Sequence, residues 1–347
     1  MKKSCHTISK IPYKSWFSGT GVTLIQGIMS RRHFSSNSIV LLVVIGVLKT
    51  KPITPLKHLL TYVLLLMLEG VCLAQTSLGV SDLSVPTKIA PAYFGPNAFP
   101  VPDMMTGRTS SEWKLEVYAD NFINSTYGPN EEYTANAFVR LTAPLFTDRV
   151  NLVIWGPLVE YFRIGDKICK DRRIDSTSPV SRTISGDIYI STDFMLLTQE
   201  RHGIDISVRT ALKSASGNDY SNARYYDNAG YFFDAAFGRK FTLIPDRSDL
   251  SIAASGGFLC WQTDNGRQND AVMYGLKASY RYKGISISTE YSGYVGWERD
   301  GDSPMILKTS LSSRHGDFVL SIGHQVGFID WPFHQFRFGI SYIIRRQ

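Results

Sequence analysis

The closing stretch of the chain is QFRFGISYIIRRQ (335–347), and through its first eight residues apolar side chains alternate with polar or small ones. From Phe336 to Ile344 every second side chain is apolar, whereas the other set, from Gln335 to Ile343, is mostly polar or small: glutamine, arginine, glycine, serine and one isoleucine. This period of two predicts a β-strand with one apolar face. Because Arg337 lies on the other face, the pattern raises the question of which face points away from water.

The same alternation recurs from Trp113 onward, in segments of about ten residues separated by turn-rich stretches. The predicted strands are 113–123, 133–143, 149–162, 186–197, 203–213, 228–240, 249–261, 271–282, 285–297, 305–311, 317–327 and 333–344. Only 149–162 is ambiguous, since its alternation is poor and it contains Pro157. The count of strands is even.

The connections between these segments alternate in length. Short links such as KG (283–284) follow the even-numbered segments, and mostly longer polar links such as SASGNDYSNARYYD (214–227) follow the odd-numbered ones. Short turns at one end and long loops at the other, on an even strand set, are typical of outer-membrane barrels. We therefore predict an all-β fold, a closed antiparallel transmembrane β-barrel of about 12 strands (10–14 being acceptable).

A soluble β-sandwich or lipocalin-like barrel is the alternative architecture. It would place the apolar set inside and the polar set outside, and the alternation alone does not separate the two cases. Strand number, loop asymmetry and the N-terminal region favour the membrane barrel.

The N-terminal region carries a predicted secretory signal. Lysines precede the apolar run LLTYVLLLML (59–68), and a cut after Ala74 places Cys72 at position −3. We predict a leader and signal peptide over 1–74, a Pro-rich segment over 75–111 that is either a plug or a periplasmic tether, and the barrel over 112–347. The length of sequence before the apolar run makes Met29 a candidate start.

The net charge of +7 arises mainly in the leader. Residues 1–74 contain 9 Lys/Arg and one acid, so the remainder carries 37 − 9 = 28 basic and 30 − 1 = 29 acidic residues. The overall basicity therefore gives no support for a nucleic-acid partner.

The alternating strands and the closing stretch FRFGISYII (336–344) resemble the outer-membrane β-barrel proteins of Gram-negative bacteria. That resemblance implies export to the cell outer membrane, contact with its lipid and lipopolysaccharide, and recognition of the C-terminal strand by the barrel assembly machinery. The chain departs from the usual pattern by ending Arg345-Arg346-Gln347 instead of on an aromatic residue. The resemblance is porin-like in architecture only and transfers no catalytic residue; the oligomeric state stays open.

Charged residues of both signs lie on the predicted inner face. The pore-lining candidates are Lys114, Glu116, Asp120, Arg140, Asp187, Asp193, Asp205, Arg209, Lys213, Asp234, Lys277, Arg281, Glu290, Lys308 and Arg337. They predict either a selectivity lining for a small charged or polar solute or a lattice of ion pairs that neutralise one another.

Aromatic residues at predicted strand ends suggest interfacial belts. The candidates are Trp113, Trp261, Trp297, Trp331 and Tyr342.

His324 and His334 are predicted to be direct cross-strand partners on the outward face, near the rim with the long loops. Interfacial packing, a metal pair and lipid hydrolysis all fit such a pair. Cys169 and Cys260 fall on the same side, as thiols or as a loop disulfide.

The sequence thus favours a narrow passive channel for small polar or charged solutes, with no cofactor and no metal. A structural or surface-binding barrel without transport is the first alternative, and an outer-membrane lipid-modifying hydrolase the second.

Overall fold

The computed structural model describes residues 94–174, 179–262, 268–297 and 301–344. Within these residues the chain forms long antiparallel strands with two short helices, α1 (Asp166–Asp171) and α2 (Gln199–His202). The strands are β1 (Trp113–Asn124), β2 (Glu132–Pro144), β3 (Val150–Ile164), β4 (Val180–Ile184), β5 (Tyr189–Leu197), β6 (Asp205–Lys213), β7 (Gly230–Ile244), β8 (Ser248–Gln262), β9 (Gln268–Tyr282), β10 (Ile285–Gly296), β11 (Met305–His315), β12 (Phe318–Ile329) and β13 (Phe333–Ile344).

Twelve of these strands close into a ring. Each pairs with its neighbours along the chain, β3 pairs with β5, and the ring closes where β1 pairs with β13. The short strand β4 pairs only with the end of β3 and extends it beyond the ring. The predicted closed antiparallel β-barrel of twelve strands is confirmed, including the seal between the first and last strands.

The predicted boundaries agree with the structure to within a few residues for most strands. The ambiguous segment is strand β3, and Pro157 lies at an irregularity where the register with β2 shifts between Ala137 and Phe138. A proline has no N–H to donate to the sheet, so a β-bulge is one of the places where a strand tolerates it. The sequence did not predict α1 or β4, which lie in the connection 165–188.

The links at one end of the barrel are short, as predicted. They are 145–149, 198–204, 245–247, 283–284 and 316–317. The link Lys283-Gly284 is a two-residue turn whose φ angles, 47° and 87°, are both positive, as the tightest hairpins require. We call this the short-link end. The opposite, long-loop end carries the described residues of the connections 125–131, 165–174, 179–188, 214–229 and 301–304, and the exceptionally short 330–332.

The polarity of the wall is inverted relative to a soluble protein. Exposed apolar side chains occur on nearly every strand of the ring, for example Val117, Phe194, Leu212, Phe237, Ile252, Leu276, Ile287, Leu311, Ile322 and Phe338. Asp120, Arg209, Asp234 and Glu290 are buried in contrast. The closed ring therefore turns its charged face inward and its apolar face outward, which decides against the sandwich and the lipocalin-like barrel. No helix in the described part of the chain is long and apolar enough to cross a membrane.

Residues 94–112 precede the barrel and run through its interior. Asp103 contacts Arg140 on β2 and Lys308 on β11, and its carbonyl oxygen accepts a hydrogen bond from Arg209 on β6. Three strands so far apart around the ring reach one residue only if that residue lies inside it. The predicted signal peptide, the candidate start at Met29, and Arg345-Arg346-Gln347 lie outside the described residues.

Candidate functional site

The pore-lining candidates occupy three levels of the interior. Glu116, Asp120, Asp187, Asp205, Arg209, Lys213, Asp234 and Glu290 are buried, and Lys114, Arg140, Asp193, Lys277, Lys308 and Arg337 are half-buried. Arg281 is exposed at the short-link end, where it donates to Asp249. Most of the set therefore lies inside the barrel, and the level of each residue decides what it contacts.

At mid-height the charges form ion pairs between neighbouring strands. Asp120 accepts two hydrogen bonds of 2.7 Å from Arg337, its direct cross-strand partner. Arg209 binds Asp234 in the same bidentate way, at 2.7 and 2.8 Å. Glu290 accepts from Lys277 at 3.1 Å. These pairs follow from the register, because oppositely charged residues face each other on adjacent strands.

Asp187 and Lys213 do not belong to this middle level, which corrects their assignment to a lining row. Strand β5 begins at Tyr189, so Asp187 lies in the preceding loop at the long-loop end. Its carboxylate accepts from the backbone N–H groups of Ser216 and Gly217 and pairs with Lys213 at 2.6 Å. Burial raises the pKa of Asp187, although Lys213 and both N–H groups oppose the shift. This group joins two loops.

Residues 94–112 contact the wall along its whole height. At the long-loop end the Gly95 N–H donates to the carbonyl of Ala223 at 2.7 Å, and the Tyr294 hydroxyl donates to the carbonyl of Phe99 at 3.2 Å. Midway, the Met104 N–H donates to Glu290 at 3.1 Å. At the short-link end, the Thr109 hydroxyl donates to the carbonyl of Asp148 at 2.6 Å.

Glycines in the wall make room for this segment. A Cβ at Gly238 would lie 2.1 Å from the carbonyl oxygen of Thr106, and one at Gly275 would lie 2.3 Å from the sulfur of Met104. Gly107, at φ +83°, passes so close to Gly238 that its own Cβ would lie 2.7 Å from that backbone nitrogen. A larger residue at Gly238 would push the segment away from the wall, and so would one at Gly275 while the long side chain of Met104 is in place.

The short-link end holds the segment by an exposed ion pair. Arg108 binds Glu200 and lies 3.7 Å from Asp205. The hydrogen bond from Arg108 lowers the pKa of Glu200, and the same hydrogen bond raises the pKa of Arg108.

At the long-loop end a buried cluster, here called the outer clamp, consists of Glu132, Glu160, Arg172 and Arg224. Arg172 binds Glu132 with two hydrogen bonds of 2.7 Å, and Arg224 binds Glu160 at 2.6 and 2.9 Å. Arg224 also lies 3.3 Å from Glu132. Two carboxylates on strands β2 and β3 therefore hold two arginines contributed by the long loops.

The outer clamp also contacts the N-terminal segment. The Asn97 amide donates to Glu160 at 2.6 Å, and a Cβ at Gly95 would lie 2.4 Å from the guanidinium carbon of Arg224. The Tyr225 hydroxyl donates to Glu160 at 2.7 Å, and burial raises the pKa of Tyr225 well above its ordinary value. Burial alone would lower the pKa of Arg224, but the two glutamates reverse the shift and raise it.

An aromatic cluster fills the interior beneath the outer clamp. Its buried members are Phe94, Phe99, Phe122, Tyr189, Tyr226, Phe232, Trp261, Tyr294, Trp331 and Phe333. Phe94 and Phe99 belong to the N-terminal segment and make edge-to-face and tilted contacts with Tyr226 at 5.5 and 5.8 Å.

The prediction that Trp261 and Trp331 form an interfacial belt is wrong. Trp261 faces inward, because its position on β8 shares a face with Gly257, the partner of Asp234. Trp331 packs on Phe122 at 6.1 Å. Trp113 is also buried, whereas Trp297 and Tyr342 are exposed, and their placement at an interface stays a prediction.

His324 and His334 lie side by side on the outward face but are not direct partners. The register pairs His324 with Phe336 and Val326 with His334, so the two histidines are diagonal neighbours. Their rings are stacked at 5.5 Å, and Nε2 of His324 lies 3.3 Å from Nδ1 of His334. This geometry is a ring contact with a hydrogen bond. Among the described residues, no group of three or more His, Cys, Asp or Glu could hold a metal.

Cys169 and Cys260 are both buried thiols, so the loop disulfide considered from the sequence is not formed in the described structure.

No family model matches the chain, and no curated protein matches it. Several solved structures are similar to it. The KdgM porin is 8% identical, the match covers 66% of this chain and 99% of that chain, and the TM-score is 0.40. The COG4313 outer membrane channel from Pseudomonas putida F1 is 10% identical, with 70% of this chain and 100% of that chain covered and a TM-score of 0.47. The transport unit of the autotransporter AIDA-I from Escherichia coli is 9% identical, with 80% of this chain and 97% of that chain covered and a TM-score of 0.40. The strand pairing of the chain itself carries the assignment of the fold: it has the closed, inverted-polarity architecture of outer-membrane β-barrels.

Proposed function

We propose that the chain is an outer-membrane channel for small polar or charged solutes, closed by residues 94–112 acting as a plug. The observation that carries the proposal is the charged interior of a barrel whose outside is apolar. At mid-height the charged side chains are not packed solid, because Arg140, Lys308 and Arg337 keep 22, 21 and 23% of their surface accessible. Water-accessible charges inside a closed barrel are what a conducting path requires.

The plug is part of the proposal because its contacts differ from those of the wall. The wall is held by continuous backbone pairing, whereas residues 94–112 touch it through side chains and a few backbone hydrogen bonds. Such a segment is able to leave without breaking the ring. A closed state with the plug seated and an open state with it displaced are then two positions of one segment.

A removable crosslink tests this proposal. We expect the double variant Met104→Cys/Gly275→Cys to form a disulfide, because a Cβ at position 275 lies 2.5 Å from Cγ of Met104, about where a cysteine sulfur would be. After reconstitution of the full chain into planar bilayers, the oxidised variant should give no channel openings. Dithiothreitol should restore the openings of the wild type. Met104→Cys alone, with the same treatments and mass spectrometry to verify crosslinking, is the control.

Two results would overturn the proposal. Openings that are the same before and after reduction would show that the segment is not a plug. If neither the wild type nor the reduced variant opens at any voltage, the channel function is refuted, and a structural barrel without transport is favoured. The fully buried outer clamp is the observation that favours this second candidate, since such a clamp stabilises a closed end.

A further inference from the structure

The middle of the interior presents an unbalanced set of accessible charged side chains, and this region is here called the chamber. Its accessible cations are Arg140, Lys277, Lys308 and Arg337, which keep 22, 23, 21 and 23% of their side-chain surface accessible. The carboxylates paired with them, Asp120 and Glu290, keep only 1 and 4%. These ion pairs are therefore layered, with the acids behind and the cations in front. Among the acidic pore-lining candidates, Asp193 alone is half-buried instead of buried.

This layering changes what a mixed-charge lattice presents to a solute. By count the wall is nearly neutral, but a solute in the chamber meets cationic groups whose counter-charges are out of contact. Arg337 also lies over the adjacent rings of Tyr118 and Phe138, at 4.7 and 5.1 Å from their centroids, which orients its guanidinium. Fields in a narrow, protein-walled cavity favour the entry of the opposite charge, here an anion.

One carboxylate already occupies the chamber, and it belongs to the plug. Asp103 keeps 33% of its side-chain surface, accepts a hydrogen bond from Arg140 at 3.1 Å and is bound by Lys308. Among the described residues, the ion pair that Arg140 forms within 4 Å is with Asp103. Lys308 has Glu290 at 3.8 Å, but Glu290 also binds Lys277 and the Met104 N–H.

We propose that Arg140 and Lys308 form a carboxylate-binding subsite, occupied by Asp103 in the closed state and by the carboxylate of a small anionic solute in the open state. This inference rests on the proposed channel function and names its solute class. The two cations come from strands β2 and β11 on different sides of the ring, so a carboxylate between them spans the path. The plug is then an internal competitor of the solute.

The test removes the internal carboxylate and supplies a free one. We expect Asp103→Ala, as the full chain in detergent micelles, to lose stability in urea and to regain at least half of the loss in the presence of sodium acetate. Sodium chloride at the same ionic strength should restore none. The wild type should not respond to acetate, since Asp103 fills the subsite. Asp103→Asn is the variant to use if the alanine variant does not fold.

Matched variants locate the effect. Adding Arg140→Gln or Lys308→Met to Asp103→Ala should weaken the apparent acetate affinity at least tenfold. Asp249→Ala, which removes a carboxylate from the exposed Arg281 at the short-link end, should show no acetate effect.

The proposal is overturned if acetate stabilises wild type and Asp103→Ala equally, or if inorganic phosphate or chloride replaces acetate with the same midpoint shift. This readout does not depend on conductance. If the protein conducts but Asp103→Ala is not stabilised by acetate, the subsite is refuted and the channel proposal stands. If the protein never conducts but Asp103→Ala is stabilised by acetate, only the channel proposal is refuted.

Discussion

The outer clamp and the chamber are both built from arginines and carboxylates, but they solve the electrostatic problem in different ways. In the clamp, Glu132, Glu160 and Arg224 have no accessible surface beyond 1%, and each charge is matched by an opposite one. In the chamber the cations keep about a fifth of their surface, and one acid on the N-terminal segment, the proposed plug, faces them. Complete burial with complete pairing holds a structure in place, whereas partial exposure with a replaceable partner leaves room for a ligand.

The largest expected effect breaks the clamp. Arg224→Gln leaves Glu160 buried without its strongest donor, so we expect the free energy of unfolding to fall by about 3–5 kcal/mol. Urea unfolding in lipid vesicles, followed by tryptophan fluorescence, measures it. Arg182→Gln is the matched control, because Arg182 is 59% exposed and lies 3.4 Å from Asp219; its change should stay below about 1 kcal/mol. Equal losses in both variants would contradict the clamp.

The next effect concerns the plug where it crosses the aromatic cluster. Phe99→Ala removes the ring that contacts Phe94 at 5.3 Å and Tyr226 at 5.8 Å. We expect seating of the plug to weaken by about 3 kcal/mol, the lower end for a buried phenylalanine, since an irregular segment shifts to fill part of the space. Single-channel recordings should show more frequent opening. Phe146→Ala, at an 84% exposed position in a short link, should leave the opening frequency unchanged.

Arg140→Gln is the same type of substitution as Arg224→Gln, made in the chamber instead of the outer clamp. Because Arg140 keeps 22% of its surface, the loss in unfolding free energy should be about 1 kcal/mol. The ratio of anion to cation permeability should fall by roughly a factor of three, since one of the accessible cations is gone. Reversal potentials in a salt gradient measure that ratio. If Arg140→Gln destabilises as strongly as Arg224→Gln, the distinction between the two regions is wrong.

The smallest effect is a pH dependence at the short-link end. The pKa of Glu200 is lowered in the folded protein, so its contact with Arg108 stabilises the seated plug above the ordinary pKa of a glutamate, about 4.3, and is lost as the pH falls through the lowered value. We expect opening to become modestly more frequent in that acidic window. Glu200→Gln should show this higher frequency at neutral pH. An unchanged pH profile in Glu200→Gln would assign the dependence to other groups.

Most of the fold was predictable from the sequence because strand patterning is local. The alternation at Phe336, Phe338 and Ile340 marks one face without knowledge of any partner strand, and the register then places Asp120 opposite Arg337. Polar alternation also placed most of the lining candidates on the inner face.

The outer clamp was not predictable in this way. Arg172 and Arg224 lie in loops without periodicity, and Arg224 reaches Glu132 across 92 positions of sequence. Trp261 was misplaced for a related reason. At the long-loop end the inward residues are themselves apolar, as Leu259 and Phe232 show, so the polarity of a residue no longer reports its face. Acidic and basic residues in irregular loops at the long-loop end were the one signal available for the clamp.

By itself, the sequence determined the twelve strands of the ring and the alternation of their faces, because backbone geometry imposes a period of two on any strand. Only the tertiary structure decided which residues fill the barrel. Asp103 meets Lys308 across 205 positions, and that contact exists only once the ring has closed around the segment. Local periodicity carries no information about such a contact, and the proposed plug and carboxylate subsite depend on it.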